Sequence, residues 1–489
     1  MKSLTYLIAL LFLLFAHLPL NSSPLLTDSI QITFVERYAF ETPITASYSS
    51  YSALMDRNVG GFIYSASAGL GVVVFEVDQD QKIRPVDSIP ISEFGGLQAM
   101  NLYQHEDYLL VALGSFFGSP QAAGLAILDI SNPPDVQVVS QWHDPQFTKG
   151  SSVVVTDGQY AYLGAMEDGL LIFNIENKAD IQLTAHILPD PDFPEPPAGL
   201  SQPKARGLHL SGDLLYLCND AKGFRIIDVS DKTNPVELSK HMNWELHDQA
   251  RPAYNEVVVK AHIAYVTVDY CGLEVVDVSD PSNPVSLKWI NLWDCNNLLW
   301  DNPGSWWDAH GHSNQIVLSG PNHLFMSGGE TEVVAFDISD PTNPVIAGIY
   351  GEQDHSVAWG IDVYGDHIIT ANIHQAFPSP PLPYLSDWGG VQLLRWEKPT
   401  GLSDPTPEIH KGFHLFPNPV KRGDPITIQP SDWKEGILRI YNSTGTMTGA
   451  PIQIAGQDLQ FTTDDLPPGF YFYRADSTHR TAAGSFVVH

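Results

Sequence analysis

The sequence predicts an all-β protein: a seven-bladed β-propeller followed by a small antiparallel β-sandwich. Three observations carry that reading. A phrase returns about every fifty residues, each repeat holds short β-branched runs punctuated by Gly and Pro, and a different alternating pattern fills the last stretch of the chain.

The phrase is plainest as GFRIIDVSDKTNPV from Gly223 and GLEVVDVSDPSNPV from Gly272. It recurs as GLAILDISNPPDV from Gly124, GLLIFNIENKADI from Gly169 and EVVAFDISDPTNPV from Glu332, with weaker copies from Gly71 and Gly390. The spacings between successive starts are 53, 45, 54, 49, 60 and 58 residues. A period of this size marks a propeller or a solenoid, whose units bury their faces only by stacking on neighbours. The unit ending at the second phrase parses into four strands: Asn255 to Lys260, Ile263 to Val268, Leu273 to Val278 and Pro284 to Ile290. Four strands per unit fit the blade of a propeller better than a parallel β-helix, whose period is shorter.

The ends of the array predict closure. The seventh copy stops at Trp396 with no Asn-Pro strand after it, while TFVERYAFETPI (Thr33 to Ile44) precedes the first unit and reads as an orphan fourth strand. Pairing the two removes an exposed edge and completes a ring of seven.

Around this array the chain divides into further segments. Lys2 followed by the apolar run Leu4 to Leu20 reads as a signal peptide over residues 1–22, with a retained anchor as the alternative. No second apolar run of that length follows, so the mature chain is expected to carry no transmembrane anchor. The propeller is expected over residues 28–398, a Pro-rich linker over 399–412 and the sandwich over 413–489. Three cysteines, Cys218, Cys271 and Cys295, are too few for a disulfide framework; one pair bridging and none pairing both remain open. The formal charge of -31 argues against nucleic acid, whose binding draws on a Lys and Arg surplus.

The skeleton of Gly, aliphatics, Asp, Ser-Asp-Pro and a second Pro, after an Ala-Tyr-Val strand, resembles the LVIVD-repeat family of secreted β-propellers over roughly Ile30 to Trp396. That resemblance implies a fold and no shared set of catalytic residues. The tail resembles the type A C-terminal sorting domain of the type IX secretion system. The matching phrases are Phe416-Pro417-Asn418-Pro419, the Ile440 to Gly445 segment, the Leu466 to Tyr471 segment containing Gly469, and the terminal Phe486 to Val488. It implies a Bacteroidota-like cell, the secretion machinery as a partner, and delivery to the outer-membrane surface or the medium. The chain ends in His489 where that family ends in a basic residue. An ordinary adhesive sandwich is the alternative.

Binding is expected where long insertions gather, on the face carrying the loops between second and third strands and between blades. The insertion from Asn291 to Gln315 holds Trp293, Trp300, Trp306 and Trp307, flat platforms suited to a glycan or a peptide; packing of the insertion onto the propeller is the competing role. Lys149, Arg206, Arg251, His312 and His355 fall where first strands begin and are expected to ring the central funnel, either holding an anionic ligand or simply solvated. Asp308, His310 and His312 are weak metal candidates, their spacing matching no fixed ligand pattern, and no cofactor is expected. The repeated Asp129, Asp228, Asp277 and Asp337 are assigned to turn chemistry in preference to calcium. The chain lacks G-x-S-x-G, H-E-x-x-H and phosphate-loop patterns. The sequence therefore points to a binding module, with an extracellular polysaccharide hydrolase or lyase acting from the funnel as the alternative.

Overall fold

The computed structural model describes residues 30–40, 49–117, 119–194, 203–250, 253–269, 271–292, 312–328, 332–351, 356–376, 385–398, 413–416, 420–430, 436–442, 447–454, 459–467, 469–476 and 481–488. It divides into two compact units, residues 1–399 and 400–489.

In the first unit seven four-stranded antiparallel sheets form the blades, numbered here from the N-terminus. Blade 5 is representative, with strands Ala253–Lys260, Ile263–Asp269, Gly272–Asp277 and Val285–Ile290. The innermost strands of the other six are Ser52–Met55, Ala99–His105, Val153–Thr156, Gly207–Ser211, Ile316–Ser319 and Ala358–Tyr364. The expected closure is present. Gln31–Ala39 pairs antiparallel with Gly390–Glu397 and supplies the outer strand of blade 7, so the two ends of the repeat array lock one sheet.

Seven apolar clusters hold the ring together, each shared by two adjacent blades. Val257, Ala264 and Val266 of blade 5 pack on Tyr216, Phe224 and Ile226 of blade 4, while Tyr265, Leu273 and Val275 face blade 6 through Leu324, Val334 and Phe336. Both faces of a middle strand are thus covered, which is why Tyr108–Leu113 reads YLLVAL as a run and not as an alternation. The outermost strands are partly wet, as in Gln137–His143.

The opening Gly of the phrase has a steric cause. At Gly272 φ is 87°, and a Cβ would lie 2.3 Å from the Ile290 carbonyl oxygen of the neighbouring outer strand; Gly223 meets the His241 oxygen at the same distance. The phrase's Asp residues build its turn, as expected. The Asp277 carboxylate accepts from Ser279 N at 2.8 Å, then Asp280 accepts from Ser282 N at 3.0 Å, and the Asn283 amide closes on the Asp280 carbonyl at 3.0 Å. Asp129, Asp228 and Asp337 repeat the first of these bonds with Ser131, Ser230 and Ser339.

Side chains at the axis stitch each blade to the next, a feature the sequence pattern does not show. Arg57 N donates to Gln104 Oε1, Val154 N to Asn101 Oδ1, Ser152 Oγ to the Ala205 carbonyl and Leu208 N to Glu256 Oε1. Asn255 Nδ2 donates to the Ser313 carbonyl, Ile361 N to Gln315 Oε1 and Met55 N to Asp362 Oδ2. Every blade boundary carries such a bond, so polar groups at the inner strands find partners in the neighbouring blade.

The second unit has two antiparallel sheets. One comprises Phe413–Phe416, Pro425–Pro430 and Leu459–Thr462; the other orders Met447–Ile454, Gly436–Asn442, Gly469–Asp476 and Thr481–Val488. Ile426 of the first meets Leu438, Ile440, Tyr471 and Val488 of the second in one core. The Tyr471 hydroxyl donates to the Pro467 carbonyl at 2.7 Å, which gives the one polar atom of that buried ring a partner.

Candidate functional site

Because each blade runs antiparallel, the loops between second and third strands, the loops between blades and the starts of the innermost strands share one face. Arg206 sits there, immediately before the innermost strand of blade 4. Its guanidinium lies 5.3 Å from the Phe116 ring centroid and 5.7 Å from that of Trp359. Phe116 belongs to the Gly114 to Ala123 loop of blade 2, and Trp359 to the innermost strand of blade 7. Blades 4 and 7 stand on opposite sides of a seven-membered ring, so this one side chain reaches across the mouth of the channel.

The rings it meets form a packed set. Tyr51, just ahead of the innermost strand of blade 1, stacks on Phe117 with centroids 5.2 Å apart and meets Trp359 edge-on at 5.7 Å. Phe117 in turn contacts Trp359 at 5.4 Å and Phe116 at 4.3 Å. Tyr51 is buried, which pushes its phenol up to about 12. Phe117 is 38% exposed, and Phe116, Trp359 and Arg206 are half-buried, so the cluster presents an apolar surface and a cation to solvent. No hydrogen bond or ion pair among the described residues uses the Arg206 guanidinium.

Behind Arg206 lies Glu256, on the innermost strand of blade 5. Its Oε1 accepts from both Leu208 N and Val257 N at 3.1 Å. Burial pushes this carboxyl up to about 8, against the two amides and the Arg206 charge, all of which favour its ionised form.

The other expected site residues fall as follows. Lys149 is exposed and ion-paired with Glu167 at 3.0 Å, so its charge is already matched. His312 is buried before the innermost strand of blade 6, with Nδ1 3.3 Å from Asp269 Oδ1. Trp293, Trp300, Trp306, Trp307, Arg251, His355, Asp308 and His310 lie outside the described residues, as do Pro417, Asn418, Pro419 and Gly445 of the tail. Among the described residues, no three His, Cys, Asp or Glu side chains gather as a metal set. Cys271 is disulfide-bonded and Cys218 is free and buried; Cys295 lies outside the described residues.

A second aromatic group stands on the same face. The short helix Trp244–Ala250 is capped by Asn243, whose Oδ1 accepts from Glu245 N at 3.0 Å and Leu246 N at 3.2 Å. Its Trp244, 50% exposed, meets Phe193 edge-on at 6.3 Å, and Phe193 covers the fully buried Arg225 at 4.7 Å. Arg225 donates to the Asp190 carbonyl at 3.2 Å and faces Glu237 at 3.6 Å, tying the insertion after blade 3 to blade 4.

The blades coincide with a known repeat. The LVIVD repeat model matches residues 98–142, 149–187, 203–242, 254–289 and 310–352, and each match spans one of blades 2 to 6. Five of the seven blades are LVIVD repeats. Blades 1 and 7 of this LVIVD-repeat propeller carry the two weaker copies of the phrase. Solved structures with a distant likeness include the computationally designed Ika8 protein, at 9% identity and a TM-score of 0.44 over 74% of this chain and 99% of that one. Another is Raptor from Chaetomium thermophilum, at 11% identity and a TM-score of 0.48 over 71% of this chain and 29% of that one. No curated protein matches the sequence.

Sequence reading found Arg206 but missed Tyr51, Phe116, Phe117, Trp359 and Glu256. One signal was present: Ala205-Arg206-Gly207 and Ala358-Trp359-Gly360 occupy the same place at the head of an innermost strand.

Proposed function

We propose that this LVIVD-repeat propeller is a binding module of the cell surface or the extracellular medium, recognising a glycan or peptide on its insertion-rich face. The arrangement of Arg206 over Phe116 and Trp359, with Phe117 open beside them, is the observation that supports it: a cation with unmet donors next to an apolar ring is a recognition surface in miniature. Delivery is assigned to the N-terminal signal peptide and to the C-terminal unit acting as a type IX sorting domain, on the strength of the tail phrases.

Arrays of glycans and peptides probed with the full chain test the recognition. Phe117→Ala and Trp359→Ala are expected to abolish array binding while leaving the melting temperature of the propeller nearly unchanged for the exposed Phe117. Array signals unaffected by either substitution overturn the assignment of the face. Removal of Phe413 to His489 is expected to trap the protein in the periplasm on cell fractionation, and undiminished surface delivery refutes the sorting role.

A further inference from the structure

Resting on the binding role proposed above, the geometry points to a specific ligand class: we infer that the channel mouth takes the free carboxylate of a peptide C-terminus, with an apolar last side chain seated on Phe117.

Four observations converge on this. Arg206 has five N-H donors in a planar fork and, among the described residues, spends none of them on an oxygen acceptor, its contacts being with the rings of Phe116 and Trp359. A carboxylate matches that fork in two parallel hydrogen bonds. Several other cations of the described propeller have acidic partners: Arg57 with Asp362, Lys149 with Glu167, Lys240 with Asp190, Arg395 with Asp366. In a chain with 56 acidic and 25 basic residues the Arg206 guanidinium makes no ion pair among the described residues, its acidic neighbour Glu256 being engaged by the Leu208 and Val257 amides and held protonated by burial.

The charge also limits the ligand. A formal net charge of -31 repels polyanions, so a single carboxylate is admitted where a polyuronate is not. Phe117 is the most exposed ring of the cluster and has no polar edge, which suits an aliphatic or aromatic side chain better than a hydroxyl-covered sugar. Finally, Arg206 spans the mouth from blade 4 to blade 7. A ligand arriving along the axis stops at the guanidinium, as a chain end does and a through-running chain does not.

The test is calorimetric titration of the full chain with acetylated tripeptides of two alanines and a C-terminal leucine or phenylalanine, each as free acid and as amide, and with trigalacturonate. The free acids are expected to bind roughly 10- to 100-fold tighter than the amides, the range for a charge-assisted hydrogen bond set against a neutral one. Arg206→Gln is expected to bring acid and amide within about twofold of each other, and Arg206→Lys to keep part of the preference as a point charge without the fork. Phe117→Ala should weaken acid and amide alike, and Lys149→Ala should change neither. Circular dichroism and melting curves establish that each variant is folded. Equal affinity for acid and amide, a preference that survives Arg206→Gln, or Arg206-dependent capture of trigalacturonate without the peptides overturns the inference. Array binding that depends on Phe117 yet ignores the carboxylate removes this inference and leaves the broader binding role standing.

Discussion

Glu256 makes the propeller's stability depend on pH in a way a single substitution isolates. In the unfolded chain its carboxyl ionises near 4.5; in the folded ring burial holds it protonated up to about 8. Between those values the folded state binds one more proton than the unfolded state, so unfolding free energy falls as pH rises, by about 1.4 kcal/mol per pH unit. From pH 4.5 to 7 the simple product is about 3.5 kcal/mol. Glu256 keeps partial exposure as a residue, which screens the ionised form and narrows the window from its upper end, so a loss nearer 2 kcal/mol is expected. Glu256→Gln keeps an oxygen for the Leu208 and Val257 amides and removes the ionisation. Urea unfolding of both proteins from pH 5 to 8, followed by tryptophan fluorescence, should give a difference in stability that widens in favour of the variant by about 1 kcal/mol per pH unit over the first two units. Curves that stay parallel within about 0.3 kcal/mol refute the protonated carboxyl and with it the closed environment behind Arg206.

Other outcomes follow from the repeat. Gly272→Ala places a Cβ 2.3 Å from the Ile290 oxygen at a positive φ, and should lower stability by on the order of 2–3 kcal/mol, read from the urea midpoint. Asp277→Ala removes the acceptor for Ser279 and should cost about 1 kcal/mol at neutral pH. The Ser279 backbone amide holds the Asp277 carboxyl below its usual range, so its contribution is complete above about pH 4 and is lost as pH falls through the lower folded value; the mutant penalty should shrink in acid. Deleting Gln31–Ala39 leaves Gly390–Glu397 as a bare edge, and size-exclusion chromatography should show aggregation in place of a compact monomeric peak.

Much of the scaffold was legible because its causes are local. The Gly at the head of six of the seven third strands answers to one close carbonyl, and the Asp-Ser pairs of four copies answer to amides two residues away, so each leaves a mark in the unit that carries it. Closure was legible for a similar reason: a unit lacking its fourth strand and a lone strand before the first unit imply each other. The candidate site was legible only in part. Arg206 could be placed at the head of an innermost strand by counting along the repeat, and Lys149 by the same count; only three dimensions show that Glu167 pairs with Lys149 while Arg206 makes no ion pair among the described residues.

The sequence by itself therefore determined the unit, its number and the strand that closes it, since these depend on contacts within about fifty residues or on an unmatched end. The tertiary structure alone decided what stands at the axis. Tyr51, Phe116, Phe117, Arg206 and Trp359 come from four blades and belong to no repeat, and only the closed ring, by bending blade 7 back to blade 1, brings them within reach of one another. The same closure encloses Glu256 enough to keep its proton, because desolvation depends on neighbours that the chain supplies from far along its length.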